Sequence, residues 1–230
     1  MTNPHDEKPK NPFGYEILRR LSFSSYTYLS RECASERLVI LKYFEGHQKK
    51  SFEKEAKALV ELEDFEGSPA LYFATEVKEG DSIRYCLGME FIVGKSLLEL
   101  TQDKTATFDW SGLGEKLGQR IKRLHDHHGF THGDLSPVNI LIKNTDQKVF
   151  FVDWEFSEKI SQENLSSYDA YRGTKGFNGP DGTSDLVKRD RDALQACLKY
   201  CGVLNPNAIE NKANTSFLLK WLKGKKDDRK

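Results

Sequence analysis

The run His132-Gly133-Asp134-Leu135-Ser136-Pro137-Val138-Asn139 sets an Asp and, five residues on, an Asn in a tight loop. A second Asp closes the apolar run Val149-Phe150-Phe151-Val152-Asp153, followed by Trp154. Between them Ile140-Leu141-Ile142 reads as a strand and Asn144-Thr145-Asp146-Gln147 as a polar turn. Two strands paired across that turn bring Asp134, Asn139 and Asp153 together above a hydrophobic floor. Their oxygens are hard ligands suited to Mg²⁺, which binds through one or two carboxylates together with substrate phosphates. An Asp left beside such a metal can orient a hydroxyl and accept its proton. The competing reading is two surface turns rich in Asp and Asn; further motifs elsewhere in the chain weigh against it.

These residues need elements to hold them. Short β-rich runs at Gly14-Tyr15-Glu16-Ile17-Leu18, Tyr26-Thr27-Tyr28-Leu29 and Leu38-Val39-Ile40-Leu41-Lys42-Tyr43 predict three antiparallel strands. Residues 48–63 are helical in pattern, with Phe52, Ala56, Leu59 and Val60 as the apolar stripe. Glu55 lies beside that stripe and can offer its carboxylate to Lys42; Glu53 is the competing partner. Pro69–Lys78 and Ser82–Ile92 read as strands around Glu79-Gly80-Asp81. Leu113, Leu117, Ile121 and Leu124 mark a core helix over 112–128. The imidazoles of His125, His127 and His128 suit a helix C-terminus better than a metal, and His132 reads as a structural prop. A helix over Asp190–Leu198 and another containing Phe217, Leu218, Trp221 and Leu222 complete the pattern. Residues 1–12 are expected to lack fixed structure, and 223–230 form a charged tail.

Composition narrows the function classes. Among 230 residues, 35 Lys and Arg balance 35 Asp and Glu, so no bulk charge favours nucleic acid or an anionic membrane. No apolar run approaches the ~20 residues that span a bilayer, and the first residues lack a signal-peptide core. The cysteines at 33, 86, 197 and 201 show no paired C-x-x-C metal spacing. Cys197 and Cys201, four apart in a helical stretch, could suit a ligand pair, but no further His or Cys clusters with them and buried free thiols are the expectation. The expectation is a cytoplasmic protein in a reducing compartment, with no nucleic-acid or membrane partner.

His132-x-Asp134 with Asn139, then a hydrophobic strand and Asp153, resembles the catalytic and metal-binding loops of the protein-kinase superfamily. Lys42 and Glu55 are similar to that family's strand-three Lys and helix Glu, which grip the α- and β-phosphates of ATP. Leu87-Gly88-Met89-Glu90-Phe91 looks like its hinge, with Met89 as gatekeeper and Glu90-Phe91 offering backbone groups to adenine. Arg172-Gly173-Thr174-Lys175-Gly176-Phe177-Asn178-Gly179-Pro180-Asp181 resembles the segment shaping the peptide groove. The Asp190 helix resembles the one anchoring the catalytic loop from below. The resemblance implies an α+β, bilobal fold: an N-lobe over 13–92 with a small antiparallel sheet and one helix, and a mostly helical, shortened C-lobe over 93–222. It implies Asp134 as catalytic base, Asn139 and Asp153 on Mg²⁺, and ATP held near Lys42, Ser22, Ser24, Thr27, Ile40, Met89, Glu90, Phe91 and Leu141. A protein substrate is the implied partner.

Departures from the pattern are as informative. Ser22, Ser24 and Thr27 stand where glycines normally let the backbone approach phosphate. Ile40 stands where a small residue often lies over adenine. Gly133 replaces the Arg that receives a phosphorylated loop in many kinases, and Ser136 replaces a common Lys. His-Gly-Asp-Leu-Ser and Asp-Trp-Glu are closer to RIO-like kinases and to aminoglycoside and choline phosphotransferases. Three readings follow: a protein Ser/Thr kinase, a small-molecule kinase, and an inactive nucleotide-binding scaffold.

Overall fold

The structure is a computed structural model and describes residues 14–22, 26–79, 82–103, 110, 112–160 and 186–201. The expected tails at 1–12 and 223–230, the Arg172–Asp181 segment, Ser24 and the helix around Trp221 lie outside the described residues. The chain divides into two compact units, residues 1–63 with 69–91, and 64–68 with 92–230. The architecture is mixed α+β. No described helix is long and apolar enough to cross a membrane.

The first unit holds β1 (Tyr15–Arg20), β2 (Tyr26–Glu32), β3 (Leu38–Glu45), α1 (Lys49–Glu61), β4 (Leu71–Glu79) and β5 (Ser82–Glu90). Its strands form one antiparallel sheet in the order β1-β2-β3-β5-β4. Alternation along β3 sorts its side chains to opposite faces. Val39, Leu41 and Tyr43 join Tyr15, Ile17, Tyr28, Val77 and Cys86 in a buried cluster. Ile40, Lys42 and Phe44 fall on the other face, where Phe44 and Tyr85 of β5 are register partners and both meet Phe52 of α1. Gly88 of β5 is covered so closely by the Phe73 ring that a Cβ there would run into it.

On α1 the buried side is set by Glu55, Ala58 and Leu59, continuing to Leu62. Val60, expected in the apolar stripe, is 57% exposed. Phe52, Glu55, Leu59 and Leu62 follow the helical repeat, which turns Val60 outward and places a carboxylate inside the stripe.

The second unit holds β6 (Gly94–Ser96), α2 (Leu97–Gln102), α3 (Leu113–Arg123), β7 (Phe130–Thr131), β8 (Ile140–Lys143), β9 (Val149–Phe151), β10 (Glu158–Lys159) and α4 (Leu186–Tyr200). β6-β8-β9 form one small antiparallel sheet and β10-β7 another. A capping box starts α2, with Ser96 Oγ accepting from Glu99 N at 3.1 Å and Glu99 Oε2 accepting from Ser96 N at 2.7 Å. Leu113, Leu117 and Ile121 are buried along α3, and Leu124 just beyond its end.

The helix expected to run on to residue 128 stops being α at Arg123 and continues as a π turn, Leu124–His128, closed by Gly129 at φ +65°. Residues 64–68 join this unit through Phe65, which is buried 6.4 Å from the Phe151 ring and edge-on to Trp154 at 6.3 Å. Phe151 N also donates to Gly67 O at 2.7 Å, and Arg120 pairs with Glu66 at 3.3 Å.

Candidate active site

In the second unit the loop between β7 and β8 is hung from helix α4. Asp190 is 1% exposed and accepts from two consecutive backbone amides, His132 N at 2.7 Å and Gly133 N at 2.9 Å. Its Oδ2 also lies 3.0 Å from His125 Nε2. Burial alone would raise the Asp190 pKa, but the His125 hydrogen bond, the neighbouring imidazoles and the amide donors hold it below the usual carboxylate value. A buried, ionised carboxylate with donors on both oxygens is a firm peg.

His132 is fully buried and braces the same loop. Its Nε2 lies 3.1 Å from Val152 O, and its Nδ1 is 3.3 Å from Asp134 N. A carbonyl can only accept and an amide N–H only donate, so the ring carries its proton on Nε2. Burial keeps the ring neutral with a lowered pKa, despite the charges of Asp190, Asp134 and Asp153. The Trp154 ring lies 4.7 Å away, and its Nε1 donates to Phe151 O at 3.0 Å.

Asp134 and Asn139 are joined within the loop. Asn139 Nδ2 donates to Asp134 O at 2.9 Å and to Asp134 Oδ2 at 3.0 Å. Spending the amide nitrogen this way leaves the amide oxygen as the atom that would meet a cation. Val152 donates its N–H to Asn139 O at 3.0 Å while its carbonyl faces His132. Asp153 is therefore placed by a residue held on both sides. Its own backbone is left-handed, φ +69° and ψ +68°, a conformation a non-glycine residue holds at a cost of order 1–3 kcal/mol.

Gly133 is also left-handed, at φ +78°, and a Cβ there would lie 2.9 Å from the Phe156 carbonyl carbon and closer still to its oxygen. The loop passes too near that carbonyl for any side chain. Ser136 is 1% exposed, and its Oγ has no hydrogen-bond partner among the described residues. Leu141 is half-buried on β8, opposite Phe150 and Ser96.

In the first unit Lys42 and Glu55 form a buried ion pair, Nζ to Oε2 at 2.6 Å, with side chains 7% and 1% exposed. Glu53, the competing partner, is exposed and pairs with Lys49 at 3.7 Å. Ile40 is half-buried beside Leu29 and Met89, its register partners, and Met89 is buried. Glu90 N donates to Ala70 O at 2.8 Å and Glu90 Oε2 accepts from Ala70 N at 3.2 Å, while Phe91 is half-buried. Thr27 stands opposite Lys42, and its carbonyl accepts from Leu21 N at 2.8 Å. Ser22 O accepts from Arg20 Nε at 2.7 Å.

The link from His125 to Asp190 spans 65 residues, and no local pattern announces it. His125 was expected as a helix-end cation, yet it is a buried partner of a carboxylate. His128 packs edge-on to Phe65, and burial together with the Arg123 charge lowers its pKa. All four cysteines are free; Cys86 and Cys197 are buried, Cys201 is half-buried and Cys33 is exposed.

The protein kinase domain family matches residues 23–191, and the chain belongs to that family. It is also 30% identical over 126 residues to a probable serine/threonine-protein kinase of Dictyostelium discoideum. That match covers 49% of this chain and 8% of the longer relative.

Proposed function

We propose that this chain is an ATP- and Mg²⁺-dependent protein kinase that transfers the γ-phosphoryl group to a serine or threonine hydroxyl of a protein. The observation that carries the reading is the loop in which Asp134 and Asn139 are bonded to each other and hung from Asp190. The residues fit the metal by donor chemistry: the Asn139 amide oxygen and the Asp153 carboxylate are hard oxygens. Held there, Mg²⁺ would supply positive charge that offsets the charge of the phosphates. Asp134 orients the acceptor hydroxyl and takes its proton as the acceptor oxygen bonds to the γ-phosphorus and ADP leaves. Lys42, fixed by Glu55, presents its ammonium to the α- and β-phosphates. The hinge resemblance assigns backbone groups of Glu90 and Phe91 to adenine, and the Glu90 amide is already bonded to Ala70 O.

A small-molecule acceptor is the second reading, favoured by the side-chain-free Gly133 and by Ser136 where protein kinases commonly carry Lys. The deciding experiment is incubation of the protein with labelled ATP, Mg²⁺ and a panel of proteins and small alcohols. Asp134→Ala should lose about 10²–10⁴-fold in turnover while still binding nucleotide, and Asp153→Ala should also weaken metal-dependent binding. Transfer by Asp134→Ala at the wild-type rate would overturn the assignment. Label confined to the alcohols would turn the reading to the small-molecule class.

A further inference from the structure

Helix α1 carries Glu55 and follows directly on a 3-10 turn, Gly46–Gln48, whose capping box joins Glu45 and Gln48. Its N-cap, Gln48, makes no side-chain capping bond, and its first turn has no acidic residue. Lys49 and Lys50 instead put positive charge at the positive end of the helix dipole, which is unfavourable. Caps and end charges bear on whether the helix forms, not on where it sits on the sheet; packing fixes the position of its first half.

Phe52, one turn before Glu55, supplies that packing. Its ring stacks on Tyr85 of β5, with centroids 4.9 Å apart and planes at 26°, and meets Phe44 of β3 edge-on at 5.9 Å. Tyr85 and Phe44 are register partners, both buried. Phe44 lies two residues beyond Lys42 on the same face of β3, and Lys42 Nζ is 5.1 Å from its ring centroid. One aromatic group thus touches both the helix that presents the carboxylate and the lysine that receives it. Leu59 and Leu62, also buried, seat the later turns independently.

We propose that Phe52 is a positioning residue whose stack on Tyr85 and Phe44 holds the first half of α1 inward and so keeps the Lys42–Glu55 pair closed. The inference rests on the kinase reading for its purpose, but not for its test.

The test is acetylation of the full chain by acetic anhydride without nucleotide, followed by mass spectrometry of the Lys42 peptide. Lys57, 75% exposed at its side chain, is the internal reference, and alkylation of the buried Cys86 reports global loosening. Phe52→Leu and Tyr85→Leu keep apolar bulk but remove the stack, and Phe52→Tyr keeps the ring. Each leucine variant should raise the Lys42/Lys57 ratio about tenfold, equivalent to about 1.4 kcal/mol, with Cys86 unchanged. Phe52→Tyr should return the ratio to wild type, and Glu55→Gln should raise it without the ring being touched. In phosphotransfer assays the leucine variants should raise KM for ATP more than they lower kcat. An unchanged ratio in both leucine variants, or a rise matched by Cys86, would overturn the proposal. A chain that labels as expected yet transfers phosphate to nothing would sink the kinase reading alone.

Discussion

Gly133 makes the sharpest single-residue demand in the loop, because two constraints coincide on it. Its φ of +78° disfavours any L side chain, and the Phe156 carbonyl fills the space a Cβ would need. Gly133→Ala should cost at least about 2 kcal/mol, from left-handed strain of roughly 1–2 kcal/mol plus the overlap, and should lower turnover because the strain falls beside Asp134. Urea denaturation of the variant checks this; a midpoint equal to wild type would mean the loop can retreat from Phe156. His132 makes a different claim. Its pKa is depressed from the usual 6.5 by burial, so the folded chain keeps the ring neutral where the unfolded chain takes up a proton. That contribution to stability is present above pH 6.5 and is lost as pH falls through the folded value. Long-range ¹⁵N NMR should show the Nε2–H tautomer persisting below pH 6.5; a ring that titrates at 6.5 or higher would refute it.

Elements around the site were legible in the sequence where the signal was local. The apolar runs on each side of Asn144–Gln147 gave β8 and β9, and β3 followed from Leu38–Tyr43 with Lys42 near its end. The position of Val60 was misjudged because an apolar residue was preferred to Glu55 in the stripe; a buried carboxylate with a cation to meet breaks the simple apolar count. The placement of residues 64–68 with the second unit depends on contacts far along the chain, to Phe151 and Trp154, so no window around them contains the cause. The same holds for α4. Its Asp190 was expected to anchor the catalytic loop only by resemblance, and the structure supplies the physics, two buried amides and one imidazole on a single carboxylate. Asp190→Ala strips the partners from both amides, at roughly 1–3 kcal/mol for each buried group left unsatisfied. The expected result is a loss of about 3 kcal/mol or more in urea unfolding together with a fall in turnover. A stable variant with wild-type turnover would show that α4 does not hold the loop.

At the scale of the whole molecule the question is what turns it on. Ser161, Ser166, Ser167, Tyr168, Tyr171 and Thr174 lie between Asp153 and Asp181 and carry hydroxyls of the kind a kinase phosphorylates, whereas Ser157 is buried with its hydroxyl donating to Trp154 O. A phosphate organises a loop only where a cation waits for it, most effectively an Arg making paired charge-assisted bonds. The loop from His132 to Asn139 contains no Lys or Arg, and the residue before Asp134 has neither a side chain nor room for one. In the part that activation commonly moves, Lys42 and Glu55 are paired at 2.6 Å, with Phe52 one helical turn before Glu55. Under the proposed function, we infer that neither part needs a loop phosphate to hold its arrangement. The initial rate of protein stripped by phosphatase should therefore match, within about twofold, that of protein pre-incubated with ATP and Mg²⁺. A rise of about tenfold, equivalent to about 1.4 kcal/mol of activation, would require a basic residue outside the His132–Asn139 loop to receive the phosphate, and the reading of Gly133 would fail.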